Sequence, residues 1–147
     1  MAGATLLTLA IFLAARPAPA AVDMAKLVGV WKVVGAEMPY GPVSEEDMKV
    51  IDVDQVVFSK TQVTFKKAGE RDDRGRFTID PTKDPKQMDV VPDDDSHKGK
   101  TMRWIYLLEK DSLKLGYDME DPGKRPKDFT TNLDRDTVVL ILKRCKR

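Results

Sequence analysis

The chain has 147 residues, 41% of them hydrophobic and 33% charged, with a formal net charge of +1. Arg16 is the only charged residue among the first twenty; removing that segment from 147 residues leaves 127, with 24 basic side chains against 24 acidic ones. Such a balance leaves no electrostatic footprint for nucleic acid or an anionic membrane. A single cysteine, Cys145, excludes an internal disulfide, so the domain has to be held by a packed core.

Residues 6–15 form an apolar run too short to anchor in a bilayer, and Ala18-Pro19-Ala20 places small residues where a signal peptidase reads. Residues 1–20 are therefore expected to be a signal peptide. Residues 21–147 are expected to be one exported domain, periplasmic or extracellular, with no membrane span after processing and a monomeric state.

From Leu27 onward apolar residues recur at period two, interrupted by turn chemistry, which predicts a meandering antiparallel sheet. The first strand covers residues 28–37, with Trp31 and Val33 on one face, and stops at the breaker cluster Pro39-Tyr40-Gly41-Pro42. Ser44 then starts a short helix reaching residue 50 or 51, since its hydroxyl accepts from an amide three residues on. Strands over 55–59 and 62–67 follow, joined by a tight turn at Lys60-Thr61, with Val56, Phe58, Val63 and Phe65 inward. A polar loop over 69–75 leads to strands over 76–80 and 87–91, which point Phe77, Ile79, Met88 and Val90 inward.

After the acidic loop Asp93-Asp94-Asp95-Ser96-His97, the strand over 101–109 turns Met102, Trp104, Tyr106 and Leu108 to one face. Strands over 112–118 and 137–144 contribute Leu113, Leu115 and Tyr117, then Val138, Leu140 and Leu142. Eight short strands with one apolar face each leave edges and an uncovered face if flat. Closure into an all-β, eight-stranded antiparallel up-and-down barrel, with one short helix after the first strand, removes both problems. A β-sandwich is the alternative fold.

Gly29-Val30-Trp31 resembles the Gly-x-Trp opening of lipocalin-like proteins. The ordered set that follows resembles a family of small bacterial lipocalin-like domains abundant in planctomycetes, without an assigned function: Pro42-Val43, Phe77-Thr78-Ile79-Asp80-Pro81, Lys98-Gly99-Lys100-Thr101, Arg125-Pro126 with Phe129, and Val139-Leu140-Ile141-Leu142-Lys143-Arg144. The resemblance implies that Trp31 closes the narrow end of the barrel beneath a basic side chain from the last strand, with Gly29 and Arg144 as its companions.

Trp104, Tyr106, Tyr117, Phe65 and Phe77 are the candidate ligand-binding residues, since interior aromatic rings either fill such a barrel or line an apolar pocket. The loop around His97 lacks calcium-loop spacing and is expected to be solvated, so neither a metal nor a cofactor is expected. No nucleophile-elbow, metalloprotease or phosphate-loop motif occurs, and catalysis is not expected. Cys145 reads as a free surface thiol. Phe129 is expected to anchor the loop over 121–129 onto the barrel, leaving Lys124, Arg125 and Lys127 solvated.

Two functional readings follow: a carrier of a small apolar molecule inside the barrel, or a filled barrel that binds an envelope or extracellular protein partner, an inhibitor included. For the second, Ile105, Leu107, Val139 and Ile141 are expected to form an outward apolar patch.

Overall fold

The computed structural model describes residues 18–51, 53–94, 96 and 99–146. The apolar run of the expected signal peptide, Asp95 and His97 lie outside the described residues. The elements in order are α1 (Pro19–Leu27), β1 (Gly29–Met38), β2 (Gly41–Pro42), a 3-10 turn (Asp47–Val50), β3 (Gln55–Phe58), β4 (Gln62–Lys66) and β5 (Asp73–Asp80), then β6 (Lys86–Pro92), β7 (Met102–Glu109), β8 (Ser112–Asp118) and β9 (Thr137–Arg144). Each long strand pairs antiparallel with the next, and β9 returns to β1, so β1 and β3 to β9 close an eight-stranded up-and-down barrel. The two residues of β2 only extend the β1 end, pairing Glu37 with Pro42 and Met38 with Gly41.

The period-two pattern sets which side chains enter. Trp31, Val56, Phe58, Val63, Phe77, Met88, Val90, Tyr106, Leu113, Leu115 and Leu142 are buried in one contiguous cluster. In β1 the alternation slips: the register with β9 shifts between Val33 and Gly35, so Ala36 is buried while Val34 is exposed. A bulge moves every later side chain of that strand to the opposite face.

The alternation defines two ends. The closed end holds α1, the start of β1, the 59–61 and 81–85 turns and the end of β9; the mouth holds the longer connections 39–54, 67–72, 93–101 and 119–136. The mouth is partly roofed by its first connection, in which Ile51 is buried in the core cluster and Val43, Met48 and Val53 pack against it.

Several local expectations are corrected. The helix expected after β1 is only a 3-10 turn, although the Ser44 hydroxyl does accept from the Asp47 amide at 3.1 Å. Among the described residues the α-helix instead precedes β1. Nine residues are too few to hold a helix in water, so α1 exists by docking: Leu27 is fully buried, worth about 1.5–3 kcal/mol. The expected loop over 69–75 is shorter, because Asp73, Arg74 and Gly75 pair with Phe65, Thr64 and Val63 in the ladder. At the Lys60-Thr61 turn the Ser59 hydroxyl accepts from the Gln62 amide at 3.0 Å and the Thr61 amide at 3.4 Å, supplying the turn chemistry that Lys and Thr lack.

The expected outward apolar patch is also corrected, in part. Ile105 and Val139 are fully buried on the outer wall of the barrel, whereas Leu107 is 40% exposed. The connection 119–136 lies over them. The Arg103 amide donates to the Pro122 carbonyl at 2.9 Å, and a Cβ placed on Gly116 would touch Ile105 at 2.8 Å and Phe129 at 3.4 Å. Arg125 is not solvated as expected: it donates to the Trp104 carbonyl at 2.7 Å and to the Asp89 carboxylate at 2.6 Å, clamping the connection onto β7 and β6.

Candidate functional site

At the closed end, Gly29 and Trp31 leave α1 and enter β1, while Arg144 ends β9 and pairs with Trp31 across the barrel seam. The Arg144 guanidinium lies 4.3 Å from the Trp31 ring centroid, a cation–π stack. The same guanidinium donates to the Val28 carbonyl at 3.2 Å and to the Lys26 carbonyl, and the Trp31 indole N–H donates to the Leu27 carbonyl at 2.8 Å. Three successive carbonyls at the end of α1 are thus occupied, with a cation at the negative end of the helix. Gly29 has φ +139°, a backbone conformation that favours glycine, and a Cβ there would press on the Arg144 guanidinium at 3.1 Å. Together these residues dock the helix as well as shut the barrel.

Inside that end, the Asp23 carboxylate of α1 accepts from the Tyr106 hydroxyl and from the Lys86 ammonium, each at 2.8 Å. Asp23 is buried, a carboxylate held by one neutral and one charged donor. Burial first, then the hydrogen bond to Asp23 and the charges of Asp23 and Asp80, push the Tyr106 hydroxyl above the usual phenol range. Tyr106 therefore belongs to the helix dock rather than to an open pocket. Asp23 and Lys86 carry no sequence signal for this role: each reads as an ordinary charged residue until the barrel brings them together.

The other candidate aromatics divide by height. Phe77 stacks edge-on to Phe58 at 5.1 Å in the packed lower core. Phe65, Trp104 and Tyr117 gather nearer the mouth, with Phe65 to Trp104 at 5.6 Å and Trp104 to Tyr117 at 5.8 Å. Burial raises the Tyr117 phenol above its ordinary value. Neither the Trp104 indole N–H nor the Tyr117 hydroxyl has a hydrogen-bond partner among the described residues, and neither atom is sealed from solvent.

Beside this group a depression of about 170 Å³ is lined by Phe65, Val90, Pro92 and Met102, with Asp73, Arg74 and Asp94 at its rim. That volume is below the roughly 300–1,000 Å³ of ligand pockets and suits one side chain. A polar cleft of about 650 Å³ between the mouth connections shares Asp73, Arg74 and Asp94 with this depression, and neither that cleft nor the others described is lined by Trp104, Tyr106 or Tyr117. Among the described residues no group of three or more His, Cys, Asp or Glu side chains is placed to hold a metal ion.

Comparison with protein-family models, with curated proteins and with solved structures finds no match to this chain.

Proposed function

We propose that this is an exported, lipocalin-like binding protein that engages a protein partner with the mouth end of a filled barrel. The observation that carries this reading is where large apolar side chains remain in water. Among the described residues the three most exposed are Leu133 at 84%, Tyr40 at 73% and Met119 at 49%, and all belong to connections that begin and end at the mouth. Tyr and aliphatic side chains are the residue types of interface centres, and the 170 Å³ depression at the same end offers a seat for one partner side chain. The reading is of a binding protein rather than a catalyst.

The test is affinity enrichment from the envelope and medium of the native host, with the processed protein as bait beside a Tyr40→Ser/Leu133→Ser variant of unchanged melting temperature. A defined protein held by the native bait and lost by the variant supports the proposal. Retention of that protein by the variant overturns it.

A second reading keeps a small molecule at the mouth, supported by the unpartnered Trp104 N–H and Tyr117 hydroxyl. Native mass spectrometry of the host-derived protein separates the two, since a discrete small ligand travelling with the monomer favours the second.

A further inference from the structure

At the opposite end, on the outside of the barrel, a cleft of about 810 Å³ lies between α1, β1 and the segment leaving β9. Its apolar wall is Ala25, Val28 and Val30; its opposite wall follows β9 through Lys143 and Arg144 to Lys146, held in place where the Cys145 amide donates to the Val30 carbonyl at 2.9 Å. Three cations line it against one carboxylate, Asp111. Arg144 is already engaged with the helix carbonyls, the Trp31 ring and Asp111. Lys143 and Lys146 are exposed and make no ion pair among the described residues.

A second observation is independent of the cleft. In the ladder Lys143 stands directly opposite Lys32, and this outward row continues through Gln55 to Lys66 on one side and through Ser112 to Glu109 on the other, so three cations stand in it against one acid two strands away from Lys143. Like charges directly opposite each other destabilise a sheet, so folding by itself gives no reason for that pair. An anion seated between the two ammoniums removes the repulsion. In a chain whose processed form is formally neutral, the cations are concentrated where an apolar recess begins.

We infer that this cleft binds a free, single-chain anionic amphiphile, with its carboxylate between Lys143 and Lys146, next to the ladder neighbour Lys32, and its alkyl chain against Ala25, Val28 and Val30. The volume falls within the roughly 300–1,000 Å³ of small-molecule sites. The apolar surface is a recess rather than a protruding ridge, which fits an inserted chain and not a flat bilayer surface. This site is separate from the mouth and does not depend on the proposed protein partner.

Cys145 lines the cleft and is the chain's only thiol, so its alkylation rate reports occupancy of the processed, unmodified protein. Dodecanoate below its micelle concentration should slow alkylation by iodoacetamide saturably, while dodecyltrimethylammonium leaves the rate unchanged. The Lys32→Gln/Lys143→Gln variant should weaken dodecanoate protection roughly tenfold. Its melting temperature should hold or rise, because a repulsion is removed. Three results overturn the inference: no protection by dodecanoate, equal protection by the cationic amphiphile, or full protection retained in the variant. Protection by phosphatidylglycerol vesicles without protection by dodecanoate also overturns it, in favour of a membrane surface.

Discussion

Asp23 and Tyr106, 83 positions apart in the chain, meet in a buried hydrogen bond of 2.8 Å that fastens the N-terminal helix to the inside of the barrel. Lys86 completes the lock from β6. Asp23→Ala leaves the Tyr106 hydroxyl without its acceptor, and the expected loss is about 1–3 kcal/mol in urea unfolding. Asp23→Asn keeps an acceptor but loses the charge facing Lys86, and is expected to fall between the two. A midpoint for Asp23→Ala equal to the native one would show that α1 docks through Leu27 and the Trp31 and Arg144 contacts without the Asp23 lock.

The raised phenols give a pH dependence of definite sign. Tyr106 and Tyr117 hold their protons in the folded state above the ordinary value of 10.0, whereas the unfolded chain releases them there. Their contribution to stability is complete below about pH 10 and declines as pH rises further, because the unfolded state then binds fewer protons than the folded one. Urea midpoints should fall above that pH, and Tyr106→Phe should make the fall shallower. Ultraviolet titration of phenolate should show both groups ionising at higher pH in the folded protein than in the urea-unfolded chain.

Arg144 does two jobs with one planar group, and substitution should separate them. Arg144→Ala removes the stack on Trp31 and the donors to the Val28 and Lys26 carbonyls, with an expected cost of about 2–3 kcal/mol. Arg144→Lys keeps the charge but not the fork, so it should recover less than half of that loss. Calorimetry and limited proteolysis before Gly29 read stability and helix docking independently.

The connection 119–136 should behave as a strap. Arg125→Ala releases its hold on the Trp104 carbonyl and Asp89, and cleavage within residues 119–136 should accelerate while the barrel core stays resistant. Gly116→Ala places a Cβ 2.8 Å from Ile105 and should cost about 1–3 kcal/mol by pushing the strap outward. An unchanged cleavage pattern in both variants would mean that the strap is held elsewhere.

Much of the barrel was legible because strand side chains alternate and only one face can be buried: Val56, Phe58, Val63, Met88, Val90, Leu113 and Leu115 all lie where period two puts them. Local chemistry misled where it was short or charged. Asp73 and Arg74 looked like loop yet pair in β5, since at a strand end by the barrel mouth even an inward-parity residue such as Asp73 stays exposed and can be charged without disturbing the ladder. Ile105 and Val139 alternated correctly to the outside, but period two does not tell which outer face a distant connection will cover.

The sequence by itself determined the eight long strands and their inward faces, because these follow from periodicity and turn residues within a few positions, while the closing role of Trp31 was what the family resemblance implied. The tertiary structure alone decided that residues 19–27 are a docked helix, that Tyr106 belongs to its lock, and that Lys32 faces Lys143 beside an apolar cleft. Each of those relationships joins residues far apart in the chain, and only closure of the barrel brings them within hydrogen-bonding or Coulombic reach.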